Sequence, residues 1–269
     1  MSTLKNSLYH LRLLDDLGKH NSFIHKVHPL IKLITTVFYL AVVISFERYD
    51  VSGLLPLIFY PMFIFLLGEL PITPILKRLL IVAPLIIGIG IMNPLFDNSK
   101  VLIGNIYISR GWITFLSILI KCGLTVTASI LLVATTGINR IAEALRMLKV
   151  PKIFVLQLLL TYRYFSVLIE EVSIMIRAYS LRAPGQKGIH RSVWGSFTGI
   201  LIIRTFDRAQ RVYQSMNLRG FRGEYINGYN SKITFKDFLY LMMWCFFFTI
   251  VRIYNIPLII DRIFTGVIN

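Results

Sequence analysis

The chain is 269 residues long, 55 % of them hydrophobic and only 16 % charged, with a mean hydropathy of +0.68. That balance excludes a soluble domain of this size and describes an integral membrane protein. Lys and Arg outnumber Asp and Glu 29 to 13, a net charge of +16; in a chain with long apolar runs such an excess marks cytoplasmic loops rather than nucleic-acid binding.

The N-terminal stretch carries Lys5, Arg12, Asp15, Asp16 and Lys19 before any apolar run. It does not resemble a cleavable signal peptide, so insertion is expected from the first true span. That span is Leu30–Phe46, preceded by Lys19, His20, His25, Lys26, His28 and Lys32 and followed by Glu47 and Asp50. Basic flanks before it place the N-terminus inside. Ser52–Gly68 forms a second span, kinked by Pro56 and Pro61, and Lys77-Arg78 mark the return to the inner side. Leu79–Phe96 crosses again, with Gly88, Gly90 and Asn93-Pro94 allowing close helix contact or a bend.

Gly111–Ile138 is a fourth span, with Trp112 at the outer interface and Lys121 expected to snorkel outward rather than act within the membrane. From Asn139 to Lys236 sixteen basic residues face five acidic ones. Lys152, Arg163, Arg191 and Arg204 break this region into apolar runs that reach only about 15 to 18 Å as helices, against a hydrocarbon core near 30 Å. A set of amphipathic helices at the inner face is therefore expected, one of them ending at Lys149 before Pro151, with Tyr162, Tyr164, Phe165 and Trp194 at the interface. Letting Ile153–Ile169 cross instead would bury Arg163. Phe238–Ile260 is the fifth span. The fold class predicted is an all-α integral membrane protein: a bundle of about five transmembrane helices plus a cytoplasmic amphipathic coupling-helix domain. The divisions fall at residues 1–138, 139–236 and 237–269.

Within the basic block two segments echo each other, Leu181-Arg182-Ala183 and Leu218-Arg219-Gly220. Each ends a helical run: Pro184-Gly185 stops the first, Gly220 and Gly223 the second. A guanidinium at a helix end is favoured by the macrodipole alone, at roughly 0.3–1 kcal/mol. Two in one block suggest docking, because an arginine there can fork onto a partner's carboxylate.

Catalytic chemistry is not encoded in any recognisable form. The sequence lacks a phosphate-binding Gly-x-x-x-x-Gly-Lys-Ser/Thr loop, a His-Glu-x-x-His pair and a Gly-x-Ser-x-Gly elbow, and its spans hold almost no carboxylates or histidines. Cys122 and Cys245 lie in apolar runs and read as small core hydrophobes. His20, His25 and His28 have metal-like spacing but no neighbouring carboxylate to orient them, so a structural role is expected. No catalytic residue, cofactor or metal site is predicted.

Several phrases resemble the CbiQ type of cobalt-transport T component. These are His25-Lys26-Val27-His28-Pro29-Leu30-Ile31-Lys32-Leu33, Thr135-Thr136 with Ala142–Pro151, Tyr162-Arg163-Tyr164 with Glu170-Glu171, and Arg208-Ala209 leading to Leu218-Arg219-Gly220-Phe221. The resemblance implies a non-enzymatic scaffold of an energy-coupling-factor (ECF) importer in the cell membrane. In that family two short arginine motifs, usually Ala-Arg-Ser or Ala-Arg-Gly, dock into two ATP-binding cassette subunits at the cytoplasmic face, and a separate membrane S component carries the substrate. Here the motifs correspond to Leu181, Arg182 and Ala183 and to Leu218, Arg219 and Gly220, with leucine in place of the leading alanine in both and alanine as the last residue of the first. Cobalt is the substrate implied. Alternatives are a T component for nickel or a vitamin such as biotin, a channel, or, from another class, a stand-alone membrane enzyme.

Overall fold

The computed structural model describes residues 22–47, 50–96, 100–103, 106–183, 185, 188–223 and 233–254. These fall into two compact units, one of residues 22–137 with 233–254 and one of residues 138–223. The protein is helical, as expected, apart from one small antiparallel hairpin.

The first unit begins with a short turn of helix, α1 (Phe23–Lys26), and then α2 (Pro29–Ser45). Pro29 occupies the first helical position, where a missing N–H costs nothing. His28 precedes it as the N-cap, its Nδ1 accepting the Leu30 N–H at 3.2 Å. A 3-10 segment, Ser52–Ile58, runs into α3 (Phe59–Gly68), so the second span is bent at this change of helix type. Glu69 ends it in the left-handed region, at φ 49°.

The third span starts earlier than the sequence suggests. Helix α4 (Ile72–Gly90) takes in Lys77 and Arg78, because Pro71 sets the start and nothing in the next turn interrupts the backbone bonds. It pauses at Ile91 and continues as α5 (Met92–Phe96). Strands β1 (Lys100–Ile103) and β2 (Ile106–Ser109) pair antiparallel and lead into α6 (Arg110–Thr136). After the second unit the chain returns in α10 (Phe235–Ile253), whose Thr234 and Asp237 form a capping box. The rest of the expected fifth span, residues 255–260, lies outside the described residues.

Helix α2 packs against both α6 and α10. At their centre Tyr39, Tyr60, Trp244 and Phe248 form a ring cluster, with Tyr39–Tyr60 centroids 4.6 Å apart and Tyr60–Trp244 edge-on at 4.8 Å. The two tyrosine hydroxyls are matched: that of Tyr39 donates to the Leu57 carbonyl at 3.1 Å, and Thr36 Oγ1 lies 2.9 Å from Tyr60 Oη. In a bilayer every such group must find an internal partner.

Helices α2 and α6 run antiparallel and exchange lysines. Lys32, near the start of α2, donates from Nζ to the Thr135 carbonyl at the end of α6, 3.0 Å away. Lys121 of α6 donates to the carbonyls of Phe46 and Glu47 just past the end of α2, at 2.7 and 3.0 Å. Arg252 of α10 reaches the same end, through Nη2 to the Ser45 carbonyl and over the Phe46 ring. Last-turn carbonyls have no partner within their own helix, and a cation there also meets the negative end of the dipole.

The second unit contains α7 (Ile138–Met147), α8 (Lys152–Arg182), a 3-10 turn Arg191–Val193 and α9 (Trp194–Leu218). Its core joins Ala142, Val155 and Leu159, with Leu145 and Val150 packed against them. Between α7 and α8 the chain turns on Lys149, held at φ 61°. Lys149 N–H donates to the Arg146 carbonyl at 3.0 Å and Val150 N–H to the Leu145 carbonyl at 3.2 Å, a Schellman closure with Lys where glycine is usual.

The helix expected after Pro151 is α8, a single helix of 31 residues, about 46 Å long. Arg163 interrupts the apolar run but not the backbone bonds, and neither proline nor glycine occurs between Lys152 and Arg182. By length and composition α8 is apolar enough to cross a membrane, as are residues 72–94 and α6. The helices Pro29–Ser45 and Ser52–Gly68 are apolar but shorter.

Candidate functional site

Helices α8 and α9 pair through the face on which charged residues recur at three and four. Arg204 Nη1 of α9 donates to Glu171 Oε1 of α8 at 2.6 Å. Around this ion pair a small cavity is lined by Val167, Leu168 and Glu171 from one helix and by Arg204, Thr205, Asp207, Arg208 and Arg211 from the other. One or two turns away, Leu160, Arg163 and Tyr164 face residues 208–222. Residue numbers fall on α8 as they rise on α9, so the two helices are antiparallel.

That direction places the predicted docking residues. Arg182 is the last residue of α8, preceded by Leu181, which is 77 % exposed. Ala183 N–H closes the final turn onto the Tyr179 carbonyl at 3.0 Å. Arg219 caps α9, after Leu218, which is 90 % exposed. Gly220 follows at φ 78°, with Gly220 N–H bonded to Asn217 O at 2.9 Å and Phe221 N–H to Met216 O at 3.0 Å. This is a complete Schellman closure, and its glycine avoids the cost of a left-handed side chain. Because Arg219 lies beside Arg163, Arg182 stands at the other end of the hairpin, about 29 Å along α8. The two Leu-Arg ends are therefore not neighbours.

The structure gathers into one place residues that the sequence names separately. An open groove of about 1020 Å³ is lined by Arg163, Arg208, Arg211, Arg219 and Arg222, with Tyr164 beside them. Leu160, Val212, Met216 and Phe221 supply its apolar wall. Arg163 lies 6.0 Å from the centre of the Tyr164 ring. Among the described residues no carboxylate lines this groove. Arg208, Arg211 and Ser215 share one helical face and were readable as such; their meeting with Arg163 depends on the antiparallel pairing of α8 with α9.

The histidines have structural positions. His25 and His28 are buried, at 3 % exposure each; Ser22 Oγ lies 2.6 Å from His25 Nδ1, and His28 caps α2. His20 lies outside the described residues. Among the described residues no three His, Cys, Asp or Glu side chains group as metal ligands.

Apolar helices of membrane-crossing length, an aromatic bundle core and cationic helix ends define an all-α integral membrane protein. Residues 20–228 match the model of CbiQ, described as a cobalt transport protein, and the chain belongs to that family. An uncharacterised protein of Methanocaldococcus jannaschii is 27 % identical over 188 residues, covering 65 % of this chain. The matched part spans 64 % of that relative's length.

Proposed function

We propose that this chain is the energy-coupling scaffold of an ECF-type importer in the cell membrane, with cobalt ion as the transported substrate. In this reading residues 139–236 form a cytoplasmic coupling domain between transmembrane spans 1–4 and a C-terminal span, and the N-terminus is also cytoplasmic. Two ATP-binding cassette subunits dock on it, one at Leu181, Arg182 and Ala183 and the other at Leu218, Arg219 and Gly220. A separate membrane subunit binds the substrate.

The observation that carries the reading is the pair of exposed Leu-Arg ends at opposite ends of one antiparallel hairpin. Leucines 77 % and 90 % exposed beside a guanidinium at helix termini are poorly explained by packing within the chain. They suit two separate grooves that each accept an apolar side chain and pair a carboxylate with the arginine. Closure of the ATP-binding subunits on nucleotide would shift both grooves, and the ion pair between Arg204 and Glu171 would help α8 and α9 move as one lever. The chain itself needs no substrate site, in keeping with its apolar spans.

The test is co-purification of the membrane-extracted protein with its ATP-binding subunits, alongside ATP hydrolysis and cobalt uptake. Arg182→Ala and Arg219→Ala are each expected to weaken subunit retention by about tenfold or more, as for loss of a desolvated charge pair. The double variant is expected to lose both subunits while still inserting in the membrane. Normal retention and uptake by the double variant would overturn the assignment.

A further inference from the structure

Proteins of this kind meet lipid as well as partner subunits, and the arginine groove has a composition suited to one class of lipid. We propose that it holds the phosphate headgroup of an anionic phospholipid. The inference concerns Arg163, Arg208 and Arg211; Arg219 and Gly220 of one Leu-Arg end also line the groove, so the test leaves both ends unchanged.

Three observations carry it. Five guanidinium groups line one open groove, and among the described residues no carboxylate lines it; Glu171 and Asp207 line the neighbouring cavity that Arg208 and Arg211 also border. Arginine presents a planar fork of donors that matches two phosphate oxygens at once. The groove also has an apolar wall, and the same turns of α8 and α9 expose Leu158, Phe165, Phe206 and Tyr213, at 39 %, 46 %, 64 % and 61 %. A free phosphate ester would use only the arginines. A phospholipid uses both, its headgroup in the groove and its acyl chains along the apolar flanks. Finally, Arg163 interrupts the apolar run 153–169 of a helix that by length and composition is apolar enough to enter a bilayer, so its guanidinium is set within an otherwise apolar surface, where a headgroup phosphate can pair with it.

The detergent-solubilised full-length chain should be titrated with phosphatidylglycerol, phosphatidylcholine and soluble glycerol phosphate, and bound lipid counted by native mass spectrometry. Phosphatidylglycerol is expected to be retained at least about tenfold more than phosphatidylcholine, falling with added salt. The triple variant Arg163→Gln, Arg208→Gln, Arg211→Gln, with Arg182 and Arg219 intact, is expected to lose that preference. Should the triple variant not fold, as read by thermal unfolding, Arg211→Gln alone decides, with a loss of about fivefold expected. Equal retention of the two lipids, unchanged retention in a folded variant, or equally tight binding of glycerol phosphate would each overturn the proposal. So would variants that release an ATP-binding subunit yet keep phosphatidylglycerol, since the groove would then be a protein-docking face.

Discussion

The ammonium of Lys121 lies 2.7 Å from the carbonyl oxygen of Phe46, and so fastens the middle of α6 to the end of α2. Glu47 O is a second acceptor at 3.0 Å. The cation fills positions that α2 cannot satisfy from within, and the carbonyls give a charge in an apolar helix somewhere to go. Lys121→Met keeps the side-chain length and removes both bonds. It is expected to destabilise the protein by about 1.5–3 kcal/mol, read as a lowered unfolding midpoint in detergent. Arg252→Ala acts on the same helix end, so the double variant should deviate from the sum of the single effects.

Asp237 joins two helix starts. Its Oδ1 accepts the backbone N–H of His28 at 2.9 Å and its Oδ2 that of Thr234 at 2.8 Å, and the residue is buried at 7 % exposure. Asp237→Ala leaves both donors without this acceptor, an expected cost of about 2–4 kcal/mol. Thr234→Ala removes only the hydroxyl half of the capping box and should cost about 1 kcal/mol. Comparable losses in the two variants would show that the long-range bond to His28 contributes little.

Three glycines of the third and fourth spans separate close packing from helix propensity. A Cβ on Gly111 would lie 2.6 Å from Pro94 Cα and 2.7 Å from the Asn93 carbonyl, both backbone atoms. On Gly90 it would lie 2.7 Å from the ring of Phe115, a side chain that can turn aside. Nothing lies within 4 Å of Gly88. Gly111→Ala is therefore expected to be the most damaging, by about 2–3 kcal/mol, Gly90→Ala intermediate, and Gly88→Ala neutral or stabilising by up to about 1 kcal/mol. Thermal unfolding of the three variants side by side would expose any other order.

At Lys149 the backbone takes a left-handed conformation that costs an L-residue about 1–2 kcal/mol. Lys149→Gly relieves that strain but adds chain entropy to the unfolded state, so a net stabilisation of about 0.5–1 kcal/mol is expected. Lys149→Val, with a branched Cβ, should instead destabilise. A lowered midpoint for the glycine variant would mean that the Lys149 side chain supplies a contact of its own.

Much of the fold was legible because it depends on local chemistry. Pro184-Gly185 and Gly220 set helix ends, and apolar runs too long for a soluble core mark the spans. Charge limits the length of an apolar run, not of a helix: Arg163 interrupts the run after Pro151, but a charged side chain does not interrupt backbone hydrogen bonding, and α8 continues through it.

The sequence by itself determined that this is a helical membrane protein of the CbiQ family, with two helices ending on Leu-Arg. Composition, hydrophobic run length and stop residues act on neighbouring positions, so one dimension suffices to read them. Tertiary structure alone decided where the charged residues go. Lys32 and Lys121 serve the ends of each other's helices, and Asp237 serves His28 from 209 positions away. The antiparallel pairing of α8 and α9 sends Arg182 and Arg219 to opposite ends and brings Arg163 to Arg211. Such partners are chosen by how helices pack in space, and hydrogen-bond acceptors on a distant backbone leave no trace in side-chain spacing.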